Sequence, residues 1–157
     1  MLKISKNLST SLSLGLAVFF FLCCLAGLFI MPDLTQMLID TPDNIGNRGQ
    51  ITDPERVLVL VVAYIIVADF ILADCLLFRL LMRVRKGLVF TAGSVSMIRG
   101  ISWCCILLCL LFGVLGIYFQ LSLIISVMAI FLGLCLRVCK NAFEEATVIK
   151  SENDLTV

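Results

Sequence analysis

Two acids interrupt an otherwise apolar stretch, Asp69 and Asp74, both inside residues 57–78. An ionisable group in hydrocarbon is costly unless it faces water, a partner or the interior of a helix bundle, so each is a candidate site for a proton, a cation or a hydrogen bond. Asp69 falls near the middle of the stretch, and Asp74 lies closer to Arg79, where basic residues begin. Five residues turn a helix through about 500°, which leaves the two acids about 140° apart and argues against a carboxylate dyad. Two readings stay open. In one, Asp69, Asp74 and Arg79 mark the route of an ion or solute. In the other, Asp69 hydrogen-bonds Ser122, Ser126 or a neighbouring subunit, and Asp74 reaches the membrane interface.

Other chemistry is sparse. The chain has no His, which removes the commonest general base and metal ligand. It also contains no Gly-rich phosphate loop and no nucleophile–base set, so the expectation is a protein that is not an enzyme, with no catalytic residues, cofactor or metal. Its eight cysteines, Cys23, Cys24, Cys75, Cys104, Cys105, Cys109, Cys135 and Cys139, all lie in or at the ends of apolar runs. Cys105/Cys109 and Cys135/Cys139 each share a helix face and could hold a soft metal, but without a nearby His or acid they read better as small buried hydrophobes. Gly113, Gly116, Ser122, Ser126 and Gly133 read as close-approach positions between helices, and Trp103 and Tyr118 as interfacial anchors.

The elements that position these residues follow from composition. Apolar residues make up 61% of the chain and charged ones 15%, against about 45–50% and about 25% in soluble domains. The surplus requires lipid as its solvent. A net charge of +1 supplies no basic field for direct nucleic-acid binding. Four spans are expected, at about 12–31, 57–78, 100–118 and 121–139. The first follows Lys3 and Lys6 and reads as an uncleaved signal anchor, because its apolar part exceeds the ~7–15 residues of a signal peptide. The second must tolerate its acids: its Val, Leu, Ile and Phe residues contribute about −7 kcal/mol to insertion, against at most about +3 for each Asp. Residues 100–136 carry no charge and would extend about 55 Å as one helix, too long for a single crossing of a hydrocarbon core of about 30 Å. The division is expected at Phe119-Gln120, with neither Pro nor Gly in the turn.

Orientation follows the basic residues. Residues 79–99 carry Arg79, Arg83, Arg85, Lys86 and Arg99 without an acid, whereas residues 32–56 are rich in Asp. The N-terminus, the 79–99 loop and the tail 140–157 are therefore expected in the cytoplasm of a multi-pass cell-membrane protein, with the 32–56 loop outside. Pro32, Pro42, Pro54, Asn44 and Gly46 make that outer loop read as turns. In the tail, Val138, Ala142, Phe143, Ala146 and Ile149 recur at helical spacing among Lys140, Glu144, Glu145 and Lys150. The fold class is thus all-α: four transmembrane helices in an antiparallel bundle with a short amphipathic cytoplasmic extension. Its finish, Ser151-Glu152-Asn153-Asp154, reads equally as a cap-like turn or a frayed end.

Polar motifs around the last two spans carry a resemblance. Arg83-Val84-Arg85-Lys86-Gly87, Phe90-Thr91, Ile98-Arg99-Gly100-Ile101-Ser102-Trp103-Cys104-Cys105, and Leu136-Arg137-Val138-Cys139-Lys140-Asn141-Ala142-Phe143-Glu144-Glu145-Ala146 with the remaining tail look like the bacterial DUF2975 membrane family. One departure is visible: Ala92-Gly93-Ser94 stands where the family commonly has acids. The resemblance implies four spans, no assigned catalytic residues, a Gram-positive bacterial source and frequent encoding beside a small helix-turn-helix regulator.

The leading expectation is a regulatory or accessory membrane protein that docks such a cytosolic partner through its loop and tail, with Arg83, Arg85, Lys86, Arg99, Glu144 and Glu145 as candidate docking or lipid-binding residues. The alternative is a small transporter, channel or transporter subunit using Asp69. Membrane lipids are expected partners in any case, since a basic cluster of this size can hold anionic headgroups. Exposure of Asp69 to lipid would favour a homo-oligomer.

Overall fold

A computed structural model describes residues 6–40 and 51–155. It contains four α-helices: α1 Lys6–Asp40, α2 Asp53–Arg85, α3 Ala92–Leu115 and α4 Gln120–Leu155. All four are long and apolar enough to cross a membrane. Lys3 and the turn-forming residues Pro42, Asp43, Asn44, Gly46 and Arg48 lie outside the described residues.

The helices run longer than the apolar runs within them. At 1.5 Å per residue, the 36 residues of α4 reach about 54 Å and the 33 of α2 about 50 Å, well beyond a core of about 30 Å. Two expected loops are therefore largely helix. Of residues 79–99, α2 takes the first part and α3 the last, leaving only 86–91 as the connection. Of residues 32–56, α1 takes those up to Asp40, with Pro32 inside the helix. The tail continues as helix through Ser151-Glu152-Asn153-Asp154 to Leu155, so neither a cap-like turn nor a frayed end occurs there.

Pro32 explains one interhelical contact. Lacking an N–H, it cannot bond the carbonyl four residues back, and an unsatisfied carbonyl in hydrocarbon costs free energy. That carbonyl belongs to Leu28, and the Tyr64 hydroxyl of α2 donates to it in a long 3.5 Å contact.

Both short connections have local causes. At the end of α2, Gly87 adopts φ +75°, and the N–H groups of Gly87 and Leu88 bond the carbonyls of Val84 and Arg83, a Schellman stop. Thr91 then caps α3, its side chain accepting from the Ser94 N–H. Between α3 and α4 the turn lies earlier than Phe119-Gln120: α3 stops at Leu115, Gly116 is its cap, and α4 begins at Gln120. A Cβ on Gly116 would collide with the Leu123 side chain, so the glycine that seemed absent from this turn opens it.

Each helix packs antiparallel on the one before it. Among the described residues, no other pair of helices brings Cα atoms within 8 Å, so the bundle is open between α1 and α4. The α3–α4 pair is the closest. A Cβ on Gly133 would lie 3.2 Å from the Cys105 Cβ and 3.4 Å from the Ser102 carbonyl oxygen. Two hydroxyls cross the same seam: Ser102 donates to the Gly133 carbonyl at 2.8 Å and Ser126 to the Cys109 carbonyl at 2.7 Å. Outward faces are apolar, with Phe29 85% and Val138 70% exposed, which only a bilayer accommodates.

Backbone approach should matter more than either hydroxyl. Gly133→Val overpacks the seam and should cost about 1–3 kcal/mol, whereas Ser102→Ala should cost about 0.6 kcal/mol, the average for such bonds in membranes. Reversible unfolding in mixed micelles checks the order; a larger loss for Ser102→Ala would contradict it.

Candidate functional site

Asp69 is buried on α2 at 5% exposure, facing the Cys104 thiol of α3, and its Oδ2 has no hydrogen-bond partner among the described residues. The expected serine partners are engaged elsewhere. Ser126 bonds α3, and Ser122 faces a cavity that Asp69 does not line. Asp74 is also buried, and its charge acts on Cys24 of α1. The two acids thus face different neighbours, as a separation of about 140° requires. Arg79 is exposed and pairs with neither. Asp69, Asp74 and Arg79 are not brought together into one polar site.

A cavity of about 580 Å³ lies between all four helices, with walls from Met31 and Leu38 of α1, Val59 and Phe70 of α2, Phe112 of α3 and Ile125 of α4. Its polar side chains are Thr35 and Ser122, and the Thr35 hydroxyl already donates to the Met31 carbonyl. Such walls offer apolar contact and no acid–base chemistry.

Polar side chains converge instead at the end where the α2–α3 turn meets the extension of α4. The Phe90 and Phe143 rings stack with centroids 5.7 Å apart. Arg99 of α3 lies 3.7 Å from Glu144 of α4, which also pairs with Lys140 one turn back. Arg137 sits over the Trp103 ring, 5.2 Å from its centroid. Of the remaining candidates, Arg83 is half-buried with its guanidinium over Gly93, where a Cβ would collide with it. Arg85, Lys86 and Glu145 are exposed. The sequence reading had not singled out Arg137 and Lys140; their place directly after the last uncharged run was the available signal.

Glu144 lies beyond Arg137, which ends that apolar run. A hydrogen bond from Lys140, aided by the positive charges of Lys140 and Arg99, holds its carboxyl below the ordinary carboxylate value.

These features define a multi-pass helical membrane protein whose polar groups gather at one end of α3 and α4. Residues 44–157 match the profile of the family described as "Protein of unknown function (DUF2975)". That match covers most of the chain, and the protein belongs to this family. Comparison with curated proteins finds no match, and comparison with solved structures finds none.

A depressed carboxyl pKa stabilises its contacts above the unfolded value, and that contribution is lost as the pH falls through the folded value. Spin labels at Ser96 and Glu145, in a background without native cysteines, should therefore give a narrow distance distribution at neutral pH. It should broaden below the ordinary carboxylate range. Glu144→Gln should be broad throughout; a pH response that survives this substitution would place the titrating group elsewhere.

Proposed function

We propose that the protein is a membrane-bound accessory or regulatory component that holds a cytosolic protein against the bilayer, on a face built from the α2–α3 turn and the extension of α4. The observation that carries this reading is the joining of the two segments by the Phe90–Phe143 stack and the Arg99–Glu144 pair. Two polar segments far apart in sequence thereby make one surface. Beside the pair, a groove of about 290 Å³ runs between Ala92, Val95 and Ser96 of α3 and Thr147 and Val148 of α4, wide enough for apolar side chains of a partner. Exposed Arg85 and Lys86 at the end of α2 and Glu145 in the extension of α4 offer charges of both signs. The bias of basic residues toward this end favours the cytoplasm as its location. A small helix-turn-helix regulator is the partner that the family resemblance favours; tethering would withdraw it from DNA without this chain touching nucleic acid.

Removing residues 140–157 while retaining membrane insertion should abolish capture of the cytosolic partner in a pull-down from native membranes. The same cytosolic proteins co-purifying with the truncated chain would reject the reading, as would labelling of a thiol introduced at Glu152 from the external side.

A second reading, a small transporter, channel or transporter subunit, is favoured by the buried Oδ2 of Asp69 in the middle of α2, which lacks a partner among the described residues. On that reading Asp69→Asn changes ion or solute flux in proteoliposomes at least severalfold. Identical flux in the two proteins would dispose of it.

A further inference from the structure

A second, smaller cavity of about 170 Å³ lies between α3 and α4, lined by Arg99, Ser102, Trp103, Arg137, Lys140 and Asn141. We propose that it is a binding site for the phosphate of an anionic lipid headgroup. Its only feature in common with the docking groove is Arg99, whose contact with Glu144 stands between the two.

The charge balance of the walls carries the argument. Three cations line the cavity, and the nearest acid, Glu144, is shared by Arg99 and Lys140. Arg137 has no carboxylate within ion-pair distance among the described residues; it rests on the indole of Trp103 instead. One negative charge against three positive ones leaves an excess that an anion would neutralise. The neutral walls are suited to the same guest. The Ser102 hydroxyl is committed to the Gly133 carbonyl and serves as wall. The Asn141 carboxamide oxygen accepts from Lys140 at 3.2 Å, which leaves its NH₂ group as a further donor. Guanidinium groups present paired N–H donors that match phosphate oxygens, and an ammonium adds a point charge. The stacking of Arg137 on Trp103 fixes one such fork in advance, so less side-chain freedom is lost on binding.

Depth identifies the source of the phosphate. Arg99 immediately precedes the uncharged run that starts at Gly100, and Arg137 immediately follows the one that ends at Leu136. The cavity therefore lies where hydrocarbon gives way to headgroups. Trp103, 56% exposed, occupies the level at which indole rings collect in membranes. A basic pocket between helices at that level meets lipid phosphate as its nearest anion. Arg85 and Lys86, by contrast, are exposed on the turn and line none of these cavities.

The test uses Trp103 as its own reporter, since it is the only Trp in the chain. Phosphatidylglycerol titrated into the full chain in neutral detergent should change the Trp103 emission saturably. Phosphatidylcholine, whose choline offsets its phosphate, and millimolar inorganic phosphate should not. Arg99→Gln should weaken the phosphatidylglycerol response about tenfold, whereas Arg56→Gln, which removes equal charge near the start of α2, at the opposite end of the bundle, should leave the midpoint within about twofold. Glu144→Gln breaks the same ion pair as Arg99→Gln but frees two cations, and should tighten binding. Opposite signs for these two variants separate lipid binding from simple loss of the ion pair. Weakening by both, equal effects of Arg99→Gln and Arg56→Gln, or an equal response to phosphatidylcholine would overturn the site. A saturable response to inorganic phosphate at the same concentration as the lipid would overturn the lipid assignment.

Discussion

Hydrocarbon offers no hydrogen bonds, and this single constraint organises the contacts between the helices. Every backbone polar group within the membrane must be satisfied inside the protein. Side-chain hydroxyls cross between helices and donate to carbonyls: Tyr64 to Leu28, Ser102 to Gly133 and Ser126 to Cys109. The first serves a carbonyl that Pro32 has left without its usual donor. The other two give serines a partner that lipid cannot supply, and they pin α3 against α4 in one register. Because apolar burial drives little association between helices in lipid, these bonds and the close approach at Gly133 take the place that a hydrophobic core has in a soluble domain.

Beyond the hydrocarbon the rules change within a turn or two of helix. α3 is reached through a hydroxyl cap at Thr91, and α4 passes Arg137 and acquires Lys140, Glu144 and Glu145 without breaking. Continuity matters here, since a helix anchored along the membrane carries its charged extension at a fixed angle and keeps Phe143 against Phe90. The polar end is positioned by the seam below it. A shift of α4 by one residue along α3 would separate the aromatic pair, the ion pair and the cation–indole pair together.

The broad architecture was legible from the residues because lipid imposes length and composition rules that survive without any tertiary detail. Apolar runs, one of them long enough for two crossings, announced four spans, and the 36 residues of α4 agree with the helical spacing of Phe143, Ala146 and Ile149. What escaped was local. Residues 79–99 looked like a loop because arginines are common in loops, yet here they decorate helix ends beyond the bilayer. Pro32 looked like a turn, whereas a neighbouring tyrosine compensates for its missing donor. Gly116, expected as a close-approach residue, is one against Leu123 of α4, and it also ends α3. Partner choice was hidden as well. In water an amphipathic stripe reveals the buried face, but lipid-facing and helix-facing positions are both apolar here, so nothing in the spacing told whether Asp69 meets Ser126 or Cys104.

The helices also differ in how many neighbours restrain them. Among the described residues, α1 brings Cα atoms within 8 Å of α2 alone, and its far side forms one wall of the 580 Å³ cavity whose opposite wall comes from α4. The family match begins at residue 44, after α1 has ended. A small tilt of this first helix would enlarge or shrink the void while leaving both serine bonds between the last two helices untouched. α1 and α4 each have one neighbouring helix, but two short serine bonds hold α4 and one long tyrosine contact serves α1, so α1 is the wall on which lateral pressure and thickness of the surrounding lipid would act first.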